Sequence, residues 1–185
     1  MENDISREMI IKAKEGDMAA FEEIYRLTSG FVFNTALRIV RHYADAEEIA
    51  QEAFVKMHKN LGQFAFQSSL KTWLYRITVN AAISRCRKSS GEAHAFAGYR
   101  NHLAAEPASA PFPDPVAKKD NETLAAYFLS KLDPEQRACV VLREMEGLAY
   151  NEIAEILGIP INTVRSRLFR ARETLLELAK KEPLV

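Results

Sequence analysis

Asn162, Thr163, Arg165, Ser166, Arg167 and Arg170 offer amide, hydroxyl and guanidinium groups in one short stretch, and no acid interrupts the chain from Pro160 to Arg172. On a helix, Val164, Leu168, Ala171, Leu175 and Leu178 recur at alternating steps of four and three, so they share one face and pack inward. The opposite arc then carries Asn162, Ser166, Phe169 and Arg170, flanked by Arg165 and Arg172 on one side and by Thr163 and Arg167 on the other. Those outward groups are the donors and acceptors that base edges and phosphates require, so the chemistry they point to is recognition of DNA. The plainer alternative is a solvated amphipathic helix capping an ordinary helical core.

A second group lies between Phe64 and Lys88. Leu70, Leu74, Ile77 and Ala81 mark the inner face of a helix that Ser68 or Ser69 can cap. Thr72, Arg76, Asn80 and Arg87 fall on the opposite side, and no acid occurs from Lys71 to Lys88. The loop before this helix holds Phe64, Phe66 and Gln67, with Trp73 just inside the helix. Aromatic rings beside a basic edge suit unstacked bases, because every base presents a π-face. The same rings serve equally well as core aromatics. Just upstream, Asp45 is placed as an N-cap with Glu48 three residues later, at capping-box spacing. The helix that follows turns Ala46, Ile49, Ala50, Ala53, Phe54 and Met57 inward and leaves Glu47, Glu48, Gln51, Glu52, Val55 and Lys56 outward. Such an acidic face is either a solvated surface or a docking surface.

These residues need helices to position them. Ile153, Ala154, Ile156 and Leu157 form the stripe of a short helix, Gly158 supplies a turn, and Pro160 stands where a second helix can begin, which together predict a helix-turn-helix. Ala149 stands at the cap position before that motif, with Glu152 three residues on. The first half reads as four helices: Ser6 to Glu15, Asp17 to Leu27, a third from Gly30 to about His42, and a fourth from Asp45 to about Leu61. From Ser89 to Lys119 the prolines 107, 111, 113 and 115 crowd among Ala and Ser, which predicts a semi-extended tether. A short helix around Gly91 to Leu103 fits within it. With no alternating strand pattern, the fold class is all-α: two small helical domains, residues 1–88 and 120–182, joined by a flexible linker at 89–119.

Composition excludes other classes. The chain of 185 residues has a formal net charge of zero, so its two basic stripes are local features on a neutral background. No apolar run approaches a membrane span, and Glu2 and Asp4 leave no room for a targeting segment; a cytoplasmic protein is expected. Cys86 and Cys139 are too few for a disulfide framework and read as small buried thiols. Cys86, His94 and His102 lack zinc-ligand spacing, so neither metal nor cofactor is expected. A nucleotide-binding glycine loop and a catalytic triad are both missing, and no enzymatic role is expected.

DAEEIAQEAFVKMHKN, SSLKTWLYRITVN and LDPEQRACVVLREMEGLAYNEIAEILGIPINTVRSRLFRARE, in that order around a proline-rich linker, resemble bacterial sigma factors of the extracytoplasmic-function group. The resemblance implies a first domain that binds core RNA polymerase and recognises and melts the minus-ten promoter element, and a second that reads the minus-thirty-five element. It assigns Glu48, Gln51, Glu52 and Val55 to polymerase docking. It assigns Phe64, Gln67, Ser68 and Asn80 to capture of a flipped base, Thr72, Trp73 and Arg76 to the adjoining DNA, and Asn162, Thr163, Arg165, Ser166, Arg167 and Arg170 to the upstream element. An anti-sigma partner is also implied. The loop departs from the family's usual Phe-Arg-Gly-Glu, reading Phe64-Ala65-Phe66-Gln67. Two other functions fit the same helices: a conventional helix-turn-helix regulator that is not a polymerase subunit, and an interaction module for acidic partners. Only a sigma factor depends on core polymerase for specific promoter binding.

Overall fold

The computed structural model describes residues 5–97 and 119–181, with side chains placed for 5–88 and 124–181; every regular element among them is a helix. Ser6 caps α1 (Arg7–Lys14) by accepting from the Met9 amide at 3.1 Å. Asp17 does the same for α2 (Met18–Val40) through the amides of Ala19 and Ala20. The expected break at Gly30 does not occur, and the second and third expected helices are one. Ile24, Thr28, Val32, Thr35, Ala36 and Ile39 keep helical spacing across the glycine and are all buried. Their packing outweighs the roughly 1 kcal/mol that a helical glycine costs relative to alanine.

Asp45 is likewise not the cap of α3 (Tyr43–Asn60). His42 holds that position, its Nδ1 accepting from the Asp45 amide at 3.4 Å, while the Asp45 carboxylate accepts from Arg85 at 3.1 Å. A 3-10 turn (Leu61–Gln63) and an irregular loop lead to α4 (Leu70–Ala97), where Ser69 Oγ accepts from the Thr72 amide at 2.9 Å. The helix runs past the expected linker start at Ser89, since Gly91 weakens a helix without ending it and no proline intervenes before Pro107. The remainder of the expected linker, 98–118 with all of its crowded prolines, lies outside the described residues.

The second half contains α5 (Lys119–Ser130), α6 (Pro134–Val140), a wide π turn (Val141–Met145), α7 (Tyr150–Leu157) and α8 (Ile161–Lys181). Asp133 caps α6 through the Gln136 amide at 2.8 Å. Ala149 has no side-chain acceptor to cap α7, but Glu152 accepts from the Ala149 amide at 2.7 Å, half of a reciprocal box. Gly158 takes φ +64, a left-handed conformation that ends α7 and lets α8 leave at a new angle.

Ile10, Ile24, Val32, Met57, Leu61, Leu70 and Leu74 belong to one buried cluster inside the first half. A second cluster crosses the expected domain boundary. It joins Ala36, Ile39, Tyr75, Val79 and Ile83 to Leu129, Ala138, Val141, Leu142, Ile153, Ile156 and Leu168. The two halves therefore pack together through α2 and α4 against α6 and α7, where the sequence suggested separate bodies on a tether. Local periodicity shows that a face is apolar and leaves open which helix will cover it. No helix among the described residues is long and apolar enough to cross a membrane.

Candidate nucleic-acid interface

The inward stripe of α8 is as expected: Val164, Leu168 and Ala171 are buried, with Leu175 and Leu178 partly so. Asn162, Arg165, Ser166, Phe169 and Arg170 are exposed, and Thr163 and Arg167 are half-buried on the flank. Arg165 donates to the Asn162 side chain at 3.0 Å, which couples an amide and a guanidinium on the exposed face at the start of the helix. Ser166 turns its hydroxyl to the Thr163 carbonyl at 3.0 Å. A face of this kind can place a planar guanidinium against a guanine edge and an amide against an adenine.

The second surface is built by α4 and the loop before it. Thr72 is half-buried, Arg76 and Asn80 are exposed, and all three follow one edge of α4. Beside that edge is a hollow of about 440 Å³ whose walls include Gln63, Phe64, Ala65, Gln67, Ser68, Trp73 and Arg76. Five of the seven residues assigned to the downstream element, Phe64, Gln67, Ser68, Trp73 and Arg76, thus line a single depression, and Thr72 and Asn80 do not. Phe64 itself is only 7% exposed and packs among core side chains, 5.4 Å ring to ring from Trp73. It forms a wall of the hollow with only a small part of its side chain exposed there.

Along α3, Glu48, Gln51, Glu52 and Val55 are exposed as expected, Val55 at 51% despite being apolar. Neither acid is idle. Arg85 bridges Glu48 at 2.5 Å and Asp45 at 3.1 Å, and Lys56 meets Glu52 at 2.8 Å. The Lys56 ammonium hydrogen-bonded to Glu52 holds that carboxyl below its ordinary range. The Glu48 and Glu52 carboxylates are solvent-exposed, and pairs of this kind are worth about 0–1 kcal/mol each, so a partner can exchange them at small cost.

Sequence reasoning missed the groups that join the halves. The Glu146 side chain is 12% exposed and accepts from Tyr75 Oη at 2.7 Å, Arg38 at 2.8 Å and Thr35 Oγ at 3.4 Å. It follows directly on the π turn, in which the Glu146 amide reaches back to the Val141 carbonyl. Burial, and then the bond to Glu146, push the Tyr75 hydroxyl pKa far above its ordinary value. Arg137 is buried and donates to three carbonyls, those of Leu129, Leu132 and, across the boundary, Ile39. Its one visible signal was a cation set directly before Ala138, Cys139 and Val140. Arg76 pairs with Glu155 of α7 at 3.2 Å, and Arg87 with Glu135 of α6. Glu155 also lines the hollow beside Arg76.

Residues 24–92 match the family model described as Sigma-70 region 2, and residues 126–175 match Sigma-70, region 4. The RNA polymerase sigma-H factor of Pseudomonas aeruginosa is 32% identical over 180 residues, covering 91% of this chain and 91% of its own. The ECF RNA polymerase sigma factor SigW of Bacillus subtilis is 33% identical over 180 residues, covering 91% of this chain and 96% of its own. Among solved structures, the sigma factor RpoE of Bartonella quintana, crystallised with the anti-sigma factor NepR, matches at a TM-score of 0.69 and 28% identity over 86% of this chain and 96% of that one.

Proposed function

This chain belongs to the sigma-70 family as a sigma factor of the extracytoplasmic-function group, and from that premise we propose how its surfaces divide the work of promoter recognition. As such a factor it binds core RNA polymerase and directs promoter-specific initiation. Residues 1–88 carry polymerase docking and the minus-ten element, and residues 120–182 carry the minus-thirty-five element, with 89–119 between them. Glu48, Gln51, Glu52 and Val55 dock on polymerase: acids around an exposed valine make a surface that combines apolar contact with exchangeable ion pairs.

The observation that carries the assignment of the downstream surface is the hollow between the loop and α4. It is open to solvent, large enough for one base, walled by Phe64 and Trp73, and bordered by Gln67, Ser68 and Arg76. Asn80 lies one turn beyond Arg76 on the same edge. A base leaving the duplex is held there by apolar contact and by hydrogen bonds to its edge, while Arg76 and Thr72 hold the adjoining backbone. Capture of the unstacked base stabilises the opened strand, and no bond is made or broken, so the chain has no catalytic step of its own. Upstream, Asn162, Thr163, Arg165, Ser166, Arg167 and Arg170 read the duplex from α8.

Arg76 is engaged by Glu155 when the halves are packed together. Contact of Arg76 with a phosphate requires that ion pair to be exchanged, so the packed arrangement precedes promoter engagement. An anti-sigma protein is a partner that fits this arrangement, since a relative is known in such a complex. The chain works in the cytoplasm, where core polymerase is. Run-off transcription and footprinting with and without core enzyme test the reading. Specific protection only in the presence of core supports it, and protection by the chain alone returns it to the class of conventional regulators.

A further inference from the structure

Phe66 occupies an unusual place in the loop. Its φ is +55, in the left-handed region where a side chain is disfavoured, and it is one of two such non-glycine residues among those described. Something must hold it there. Its ring lies under two cations from α1: Arg7 Cζ is 4.6 Å and Lys14 Nζ 5.0 Å from the ring centre. Lys14 also donates to the Phe64 carbonyl at 2.7 Å, and the Phe66 ring meets the Phe64 ring edge-on at 5.0 Å.

The consequence is directional. Ala65 and Gln67, on either side of Phe66, both line the hollow, whereas Phe66 is drawn back toward α1 and does not. Drawing one residue back in left-handed geometry is what presents its two neighbours forward. The geometry points to Arg7, Lys14 and Phe66 as positioning residues: a cation–aromatic clasp by which α1 sets the shape of the base-capture loop and so the base that the hollow prefers. α1 thereby belongs to the strand-opening apparatus although it lines none of the hollow. This rests on the assignment of the hollow to base capture made above.

The test uses the full chain with core polymerase. Arg7→Gln and Lys14→Met together remove both cations and leave the Ile10 core anchor of α1 in place. Opening is read by permanganate on promoters carrying each of the four bases at the captured position. The clasp predicts that discrimination between the preferred base and the next best falls by about fivefold, as expected for losing contacts of this class. Affinity for core polymerase stays unchanged. Phe66→Leu gives the same loss, Phe66→Trp retains discrimination, and Phe66→Leu added to the double variant causes no further loss. In the protein alone, acrylamide quenching of Trp73, the single tryptophan, increases in the double variant. A merely structural role of α1 would lower opening on all four promoters in proportion and leave the preference intact, and that result overturns the clasp. So does an effect of Phe66→Leu that multiplies with the double variant. Asn80→Ala serves as the reference: if it impairs opening while the clasp variants keep their preference, the clasp alone is wrong, and if it opens normally and no base is preferred by the wild type, base capture fails with it.

Discussion

Tyr75→Phe removes one hydroxyl from the seam between the halves, and its cost can be worked from the surroundings. Tyr75 is 1% exposed and its hydroxyl donates to a carboxylate at 2.7 Å, so water cannot replace the bond in the packed state. A hydrogen bond to a charged group contributes about 1.5–3 kcal/mol net. Glu146 keeps its bond from Arg38, a side chain 40% exposed, and that partly solvated pair limits the damage. A loss of about 1.5–2 kcal/mol is expected for Tyr75→Phe, with a similar loss for Glu146→Gln. Because both act on one bond, the double variant should lose less than the sum, by about 1–2 kcal/mol. Urea unfolding at constant slope measures the cycle. A second readout concerns function. The seam exists only while the halves are together, so weakening it by that amount shifts the packed-to-separated balance by about 10- to 30-fold. Open-complex yield at limiting core polymerase should rise. Additivity within about 0.5 kcal/mol would show that the hydrogen bond contributes nothing, and a yield that falls along with stability would refute the claim that separation precedes promoter engagement.

Arg165→Ala or Arg170→Ala should weaken binding to the upstream element by about 1–3 kcal/mol if the side chain reads a base, with unchanged unfolding; competition among single-base variants of that element measures it. Asn80→Ala should leave closed-complex binding intact and reduce permanganate reactivity of the unpaired thymines, and undiminished reactivity would take Asn80 out of the hollow's function. Charge reversal at Glu48 and Glu52 should lower affinity for purified core polymerase without loss of helicity, since both acids are exposed and fill no core space. Stability should also decline in alkali. The Cys139 thiol is pushed up to about 11 by burial, and Tyr75 is raised by burial and its bond to Glu146. In the unfolded chain these groups ionise near their ordinary values of about 8.5 and 10, so their contribution is complete below about pH 8.5 and falls as pH rises beyond it. A urea midpoint that stays flat from pH 8 to 11 would contradict this.

The helix-turn-helix, the faces of α3 and α8 and the basic edge of α4 were legible because each is written in the 3.6-residue period of its own segment. Two local signals misled. Gly30 looked like punctuation, yet the buried face of α2 continues on either side of it. Asp45 had the right type and spacing for a cap, but Arg85, forty residues away, uses its carboxylate instead. The seam was illegible for a different reason. Tyr75 and Glu146 are 71 residues apart, and an acid after a helix carries no mark of the tyrosine that will meet it. The same holds for the clasp, in which α1 reaches a loop some fifty residues further along.

The cluster that fuses the halves encloses one cysteine from each, Cys86 of α4 and Cys139 of α6, and both are buried. Burial hinders thiolate formation at both sites. Reaction with a thiol reagent is therefore gated by the motions that uncover them. A modified sulfur would in turn be too bulky for the close-packed space it came from, and the seam could not re-form around it. The two thiols thus convert a fleeting separation into a lasting chemical record, legible by mass spectrometry, of how often the molecule has come apart.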